Sequence, residues 1–401
     1  MPLPSPFHAR TAPLCESYRW KDWAGYCAVC AYDTPADGEY FALRQASGLI
    51  DVTPLFKVAV TGADAAELLS WVWTRDVRKL APGRVAYGPW CDERGQVLDD
   101  GTVTCWEPGR YRVTSAEPCY AWLAREARGW DVELAEETAR VAALALQGPT
   151  ARAVLRELLG DEAAQLGYFH AARFALDGPA GTNAIGVEVT RTGYTGDLGY
   201  ELWVAAEHAL ALWDALLGAG RDHGLQPVGL DALDVARVEA GFILGGVDYT
   251  SARNALIPSQ RSTPYELGLG WAVHPERGPF IGREALRREK ARGPRRALVG
   301  LELDWQALEQ LYASYGLPPH LSTAAWRTPV PVYAGGAQVG RATSGAWSPT
   351  LKKNLALATV GAAQAALGTR LAIEVTVEHE RRTVPATVVR RPFFDPPRKR
   401  A

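Results

Sequence analysis

No uninterrupted apolar stretch in this sequence is long enough to cross a bilayer, and no charged segment leading into an apolar run opens it. Neither a membrane span nor a secretory leader is predicted, and a soluble cytoplasmic protein is the expectation. Net charge is equally sparse: 43 lysines and arginines against 45 aspartates and glutamates leave −2 over 401 residues. That balance provides no global field for nucleic acid or an anionic membrane, so the expected partner is a small molecule or another protein. Cysteine is scarce too, at six in the chain. Scattered thiols make no disulfide framework, which points to a reducing compartment. Cys27 and Cys30 form a CxxC pair, yet no second pair or histidine cluster completes a metal site, and Cys15, Cys91, Cys105 and Cys119 lack ligand spacing. Buried small thiols and no metal are expected.

What the chain does have is glycine concentrated in one place, the stretch RTGYTGDLGYELW from Arg191 to Trp203. Gly193, Gly196 and Gly199 permit backbone angles and close approaches that a side chain would block. Interleaved with Tyr194, Asp197, Tyr200 and Glu201, the loop suits closure of backbone and polar groups around a flat ligand. A glycine-rich hairpin fits the same letters.

At 401 residues the chain exceeds one ordinary core, and about two or three domains are expected. Two strand–turn–helix units echo each other. Leu55 to Val60 alternates as a strand, Thr61 and Gly62 turn, and Asp64 stands where it can cap a helix carrying Leu68, Leu69 and Val72. Val141 to Leu146 is followed by Gln147 and Gly148, then Pro149 in a first helical turn, with Val154, Leu155 and Leu158 as the apolar face. Such units predict an α+β fold of two related subdomains with mostly antiparallel sheets. A further helix is expected from Ala206 to Leu217, with Gly218 and Gly220 of GAGRDHG as its cap and turn; a phosphate loop would follow a strand instead. From Ala297 onward, short strands at Leu298 to Leu303, Val330 to Tyr333 and Ala372 to Val377 predict a C-terminal all-β barrel or sandwich.

Two further segments carry candidate chemistry. In ERGQVLDDGTVTCW a DERG turn leads into a strand bearing Asp99 and Asp100, whose side chains point to opposite faces, so one of them can enter a given cleft. An exposed acidic turn is the plain alternative. The stretch GLDALDVARVEAGFILGGVDY places Arg237 and Glu239 on a helix and Gly245, Gly246 and Asp248 in a loop; a helical Arg and Glu commonly form a structural ion pair.

Taken in order, these segments resemble the glycine-cleavage T-protein (aminomethyltransferase) family of tetrahydrofolate-dependent one-carbon transferases. The resemblance runs from EYFALRQASGLIDVTPLFKVAVTGADA through the LDD hairpin, ALQGP, RTGYTGDLGYEL and RVEAG, then STPYELGLGWAV, FIGREAL and TSGAWSPTLKKNLALA. It implies a three-domain cloverleaf: residues 1–54 with 141–290 as a discontinuous first α+β domain, 55–140 as a ferredoxin-like second, and 291–401 as the β-barrel. Tetrahydrofolate would thread the central opening. Glu201 would pair with the pterin ring, Tyr194 would line its pocket, and Asp100 would act beside the nitrogens that receive the carbon. Tyr87 and Trp271 match positions facing the ligand, as do Ser115 and Arg237.

The sequence also departs from that pattern. Leu233 stands where the family usually has arginine, Ser115 where it has a ligand-lining Asn, and Gly245 where it has Tyr. The opening stretch with Trp20, Trp23, Tyr26 and Tyr32 is unlike the usual one and could face a different donor. Three readings remain: aminomethyl transfer from a lipoyl carrier protein, demethylation of a small N-, S- or O-methyl compound, and a non-catalytic folate-binding module. Arg341, Lys352 and Lys353 are candidates for the folate glutamate tail, and the C-terminal RKR is expected to be a solvated tail.

Overall fold

A computed structural model of the chain describes residues 1–178 and 183–401. The strand Val141–Gln147 organises the first half. Its alternation sends Ala142, Leu144 and Leu146 to one face, where helices Ala151–Ala164 and Ala209–Gly220 bring Val154, Leu155, Leu212 and Trp213. Ala143 and Ala145 go to the other, packing against the helix Leu230–Glu239. Both faces are covered, which is why the strand reads as a continuous apolar run.

Around it lies a six-stranded sheet in the order Ala171–Leu176, Ile185–Thr190, Gly199–Ala205, Val141–Gln147, Ser47–Asp51 and Leu225–Pro227. Pairing is antiparallel except for the last strand, which runs parallel to Ser47–Asp51. A five-stranded antiparallel sheet follows the order Arg84–Cys91, Val97–Glu107, Arg110–Ser115, Phe56–Thr61 and Glu133–Glu136. The expected echo is visible in these two orders. Each unit runs strand, helix, three strands, helix, strand, and the three middle strands line up on the same side of the first; Ser47–Asp51 is inserted in one of them. Gly62 and Gly148 occupy equivalent turns with φ of 129° and 130°, and a Cβ there would lie 2.3 Å from the Asp131 carbonyl and 2.5 Å from that of Ala46. Glycine is required at both by the same close backbone approach.

The C-terminal strands close into a six-stranded antiparallel barrel filled by Leu301, Val332, Ala358, Ile373 and Val388, so of barrel and sandwich the chain forms the barrel. A small sheet of Leu3–Pro4, Tyr26–Ala31 and Arg19–Trp23 completes the molecule.

Several local expectations need correction. Asp64 occupies the cap position of helix Ala65–Val72 but its side chain makes no cap bond; its carboxylate accepts the Asp131 N–H at 2.9 Å instead, tying the turn to the entrance of the strand Glu133–Glu136. The helix expected from Ala206 begins as a 3-10 turn, and its α-helical part is Ala209–Gly220. Gly218 and Gly220 do not end it in a left-handed cap. A second 3-10 turn carries the chain to Gly224, φ 68°, and Leu225 then packs directly on Gly220, where a Cβ would stand 2.3 Å from it. Arg237 and Glu239, two positions apart, point to different sides of their helix and pair with different partners rather than with each other. Cys27 and Cys30, three apart on one strand, face opposite sides of it. No group of metal-ligating side chains occurs among the described residues, and no helix among them is long and apolar enough to cross a membrane.

Candidate functional site

The two sheets, the small N-terminal sheet and the barrel enclose a cavity of about 1440 Å³. Its floor is a row across the six-stranded sheet. Ile50 and Glu201 are both register partners of Ala145, and all three side chains line the cavity; the small alanine leaves the space into which Glu201 projects. The Glu201 carboxylate accepts hydroxyl hydrogen bonds from Thr192 at 2.5 Å and Thr190 at 3.3 Å. No arginine or lysine pairs with it among the described residues. Burial pushes its pKa up, and the two threonine hydroxyls partly offset that.

The glycine loop is held by a residue that sequence reasoning treated only as a turn. Gln147 donates to the carbonyls of Thr192 and Tyr200, each at 3.2 Å, and accepts from the Thr195 hydroxyl at 2.9 Å. A Cβ on Gly193 or Gly199 would stand 2.1 or 2.2 Å from the Gln147 carboxamide oxygen. The loop therefore wraps a buried amide, and glycine is what allows the wrap. Tyr194 from this loop lines the cavity, stacks on Phe242 at a centroid separation of 5.6 Å, and donates to the Ile243 carbonyl.

Opposite, the five-stranded sheet brings in the strand Val97–Glu107. The alternation expected for its paired acids holds: Asp100 lines the cavity, and Asp99 lies beneath the surface at 3% exposure. Asp100 accepts the Tyr87 hydroxyl at 2.6 Å and the Tyr249 hydroxyl on its other oxygen. Burial raises the Asp100 pKa, against the two hydroxyls. Tyr249 was not singled out from sequence; it follows the Gly245–Gly246 loop by only three residues, and nothing in its spacing marked it. Tyr87 stacks on Trp271, centroids 6.1 Å apart, and both line the cavity. Ser115 also lines it, across the ladder from Gly101, with its hydroxyl donated to the Glu117 carbonyl at 2.7 Å.

Arg237 reaches the cavity wall, but most of its guanidinium is committed elsewhere. It donates to Asp234 and Asp248 at 2.6 Å each, to Ser344 at 3.1 Å and to the Phe242 carbonyl at 3.3 Å; its buried Nη2 has no partner. Cations that do line the opening include Lys21, Arg75, Arg84, Arg327, Arg390 and Arg400. Arg341, Lys352 and Lys353 do not, and Lys353 instead pairs with Glu302 at 2.7 Å. The RKR segment is not simply solvated: Arg398 grips both oxygens of Asp197 at 2.7 and 2.8 Å, and Lys399 is buried. Of the N-terminal aromatic residues, Trp23 lines the cavity, Trp20 lies against His8, and Tyr32 is buried.

Comparison with known proteins agrees with this architecture. Residues 7–277 match the family model described as the GCVT N-terminal domain, and residues 318–395 match that of the glycine cleavage T-protein C-terminal barrel domain. The chain is 39% identical over 371 residues to an aminomethyltransferase of Symbiobacterium thermophilum, covering 90% of each. It is 34% identical over 405 residues to a trimethylamine-oxide aldolase of Ruegeria pomeroyi, covering 98% of this chain and 47% of that protein. The solved structure of glycine cleavage system aminomethyltransferase T from Bartonella henselae matches with a TM-score of 0.81 at 26% identity, over 98% of this chain and 99% of that one. These likenesses extend through both α+β units and the barrel, and the chain belongs to the glycine cleavage T-protein family.

Proposed function

We propose that the cavity binds tetrahydrofolate as acceptor, with Glu201 holding the pterin and Asp100 facing the reacting nitrogens. By family the protein is an enzyme of one-carbon transfer. The observation that carries the finer reading is the arrival of two carboxylates from separate sheets in one cavity, neither of them paired with a cation among the described residues. A buried carboxylate without a cationic partner is costly unless something donates to it. An aminopyrimidine edge offers two parallel N–H groups, the pattern a carboxylate accepts from a guanidinium. Tyr194, Tyr87 and Trp271 provide flat aromatic wall and Ser115 a polar edge, while Arg237 backs the wall through its buried pairs with Asp234 and Asp248. Bound there, tetrahydrofolate would supply the nucleophilic nitrogens. Asp100 would stabilise positive charge developing beside it and take the proton released.

For the donor, the first reading is an aminomethyl group delivered on the lipoyl arm of a carrier protein. A second is favoured by Leu233 and Gly245, which give the cavity wall an apolar side chain and a stretch of bare backbone beside Tyr249 at two positions. Those suit a small N-, S- or O-methyl compound acting as donor. A purely structural folate-binding module fits less well, since it would have no use for Asp100. The domain division we infer, 1–54 with 141–290, 55–140 and 291–401, follows the membership of the sheets, and six unbridged cysteines support a cytoplasmic working place.

The test is incubation of purified protein with tetrahydrofolate and either aminomethylated lipoyl carrier or a panel of methylated amines, thioethers and aryl ethers, following folate product and donor loss by mass spectrometry. Consumption of one donor class with stoichiometric one-carbon folate identifies it. Absence of folate binding by titration would overturn the reading.

A further inference from the structure

One hydroxyl lies between two carboxylates. Tyr249 Oη is 3.0 Å from Oδ1 of Asp99 and also contacts Oδ1 of Asp100. A tyrosine hydroxyl has one proton, so it can donate to one of these oxygens only. The other contact is a hydrogen bond only if the carboxyl supplies the proton. Asp100 also accepts the Tyr87 hydroxyl, whereas Asp99 is offered only backbone N–H groups besides Tyr249: that of Glu117, at 3.2 Å from its other oxygen, and that of Asp100. Among the described residues neither acid has an arginine or lysine ion-pair partner; Arg253, the cation on this side, rests over the Trp122 ring. The remaining titratable neighbours are Tyr194 and Cys119, neither of which carries positive charge. Two adjacent anions in so buried a place would repel without compensation.

We propose that Asp99 is a neutral carboxylic acid that donates its proton to Tyr249, so that Tyr249 donates in turn to Asp100 and keeps Asp100 as the one carboxylate of this pair. Asp99 is thus a positioning residue, acting on the cavity through Tyr249. Burial and the neighbouring charge of Asp100 both favour the protonated form of Asp99. The chain of donors orients Asp100 with both oxygens satisfied by hydroxyls, leaving its remaining lone pairs toward the cavity. Loss of the Asp99 proton as pH rises would leave Tyr249 with two competing anionic acceptors and weaken its hold on Asp100. Activity dependent on Asp100 therefore falls as rising pH ionises Asp99. That last step rests on the role assigned to Asp100 above; the protonation state does not.

The experiment has two arms on the full-length protein. Infrared spectroscopy of wild type, Asp99→Asn and Asp100→Asn, with carbon-13 aspartate, reads the protonated-carboxyl C=O band at neutral pH without any donor or folate. A band present in wild type, lost in Asp99→Asn and kept in Asp100→Asn is expected; a band unchanged by Asp99→Asn overturns the proposal. In the transfer assay Tyr249→Phe is expected to lower kcat about tenfold, the loss of one charge-assisted hydrogen bond, with little change in folate KM. Asp99→Asn, which can still donate to Tyr249, should retain more kcat than Asp99→Ala and lose the fall with rising pH. Wild-type kcat and pH profile in Tyr249→Phe would overturn the positioning role. Absence of transfer in wild type with the band intact would count against the functional reading alone.

Discussion

Arg237 and Asp248 are eleven residues apart in the chain and 2.6 Å apart in space, both side chains cut off from solvent. Their pair ties three parts of the molecule. Asp234 on the same helix bonds Arg237 on one side and Arg327 on the other, each at 2.6 Å, while Asp248 accepts the barrel hydroxyls of Thr343 at 2.6 Å and Ser344 at 2.7 Å. A second buried cluster does the same nearby: Arg44 pairs with Glu239 at 2.6 Å, and Glu239 also accepts from Tyr40 and Ser348 at 2.5 Å each. The cavity wall is held by charge networks that cross from one domain to the next.

Removing one partner of such a pair leaves a buried charge uncompensated. Asp248→Ala is expected to destabilise the fold by about 3 kcal/mol, read from urea denaturation, whereas loss of the exposed pair Arg10–Asp214 should leave the denaturation midpoint essentially unchanged.

Glu201→Gln keeps the size of the side chain but replaces one acceptor oxygen by a donor. Affinity for reduced folate should fall about hundredfold, measured by fluorescence titration. In the wild type, binding should weaken as pH falls through the raised Glu201 pKa, because the protonated acid loses an acceptor, and the Gln variant should lack that dependence.

Asp100→Asn should separate binding from chemistry. Folate affinity is expected within about threefold of wild type and turnover down by roughly a hundredfold or more. Equal loss of both would place Asp100 in ground-state binding instead.

Lys57 gives a pH-dependent stability. Fully buried, it donates to the Thr53 carbonyl at 2.6 Å and the Thr138 carbonyl at 3.4 Å, the two points where the chain enters and leaves the five-stranded unit. Burial, then the charge of Arg112, depresses its pKa from 10.5 to about 7. Between those values the unfolded chain binds the extra proton, so this lysine's contribution makes the folded state more stable as pH rises through that window, and its burial penalty is fully present below it. Comparing the Tm of wild type and Lys57→Met from pH 6 to 9 should show a wild-type rise that the variant lacks.

Much of the site was legible because its signals are local. The glycines of RTGYTGDLGYELW, the alternation that separates Asp99 from Asp100 and the echo of the two strand–turn–helix units are all short-range patterns, and each has its counterpart in the folded chain. Gln147 and Tyr249 were missed for the opposite reason. A glutamine after a strand and a tyrosine after a loop gain their roles from groups 45 and 150 residues away.

Sequence alone determined the α+β class and a C-terminal run of short strands, since backbone preference and side-chain alternation act between neighbours; Glu201 and Asp100 were singled out by the resemblance to the family. Tertiary structure decided which cations reach the opening, that the C-terminal arginine grips Asp197, and that a single tyrosine hydroxyl lies between two carboxylates. Those depend on distances between segments that no local pattern specifies, and on burial, which turns an ordinary carboxylate into one that must find a donor.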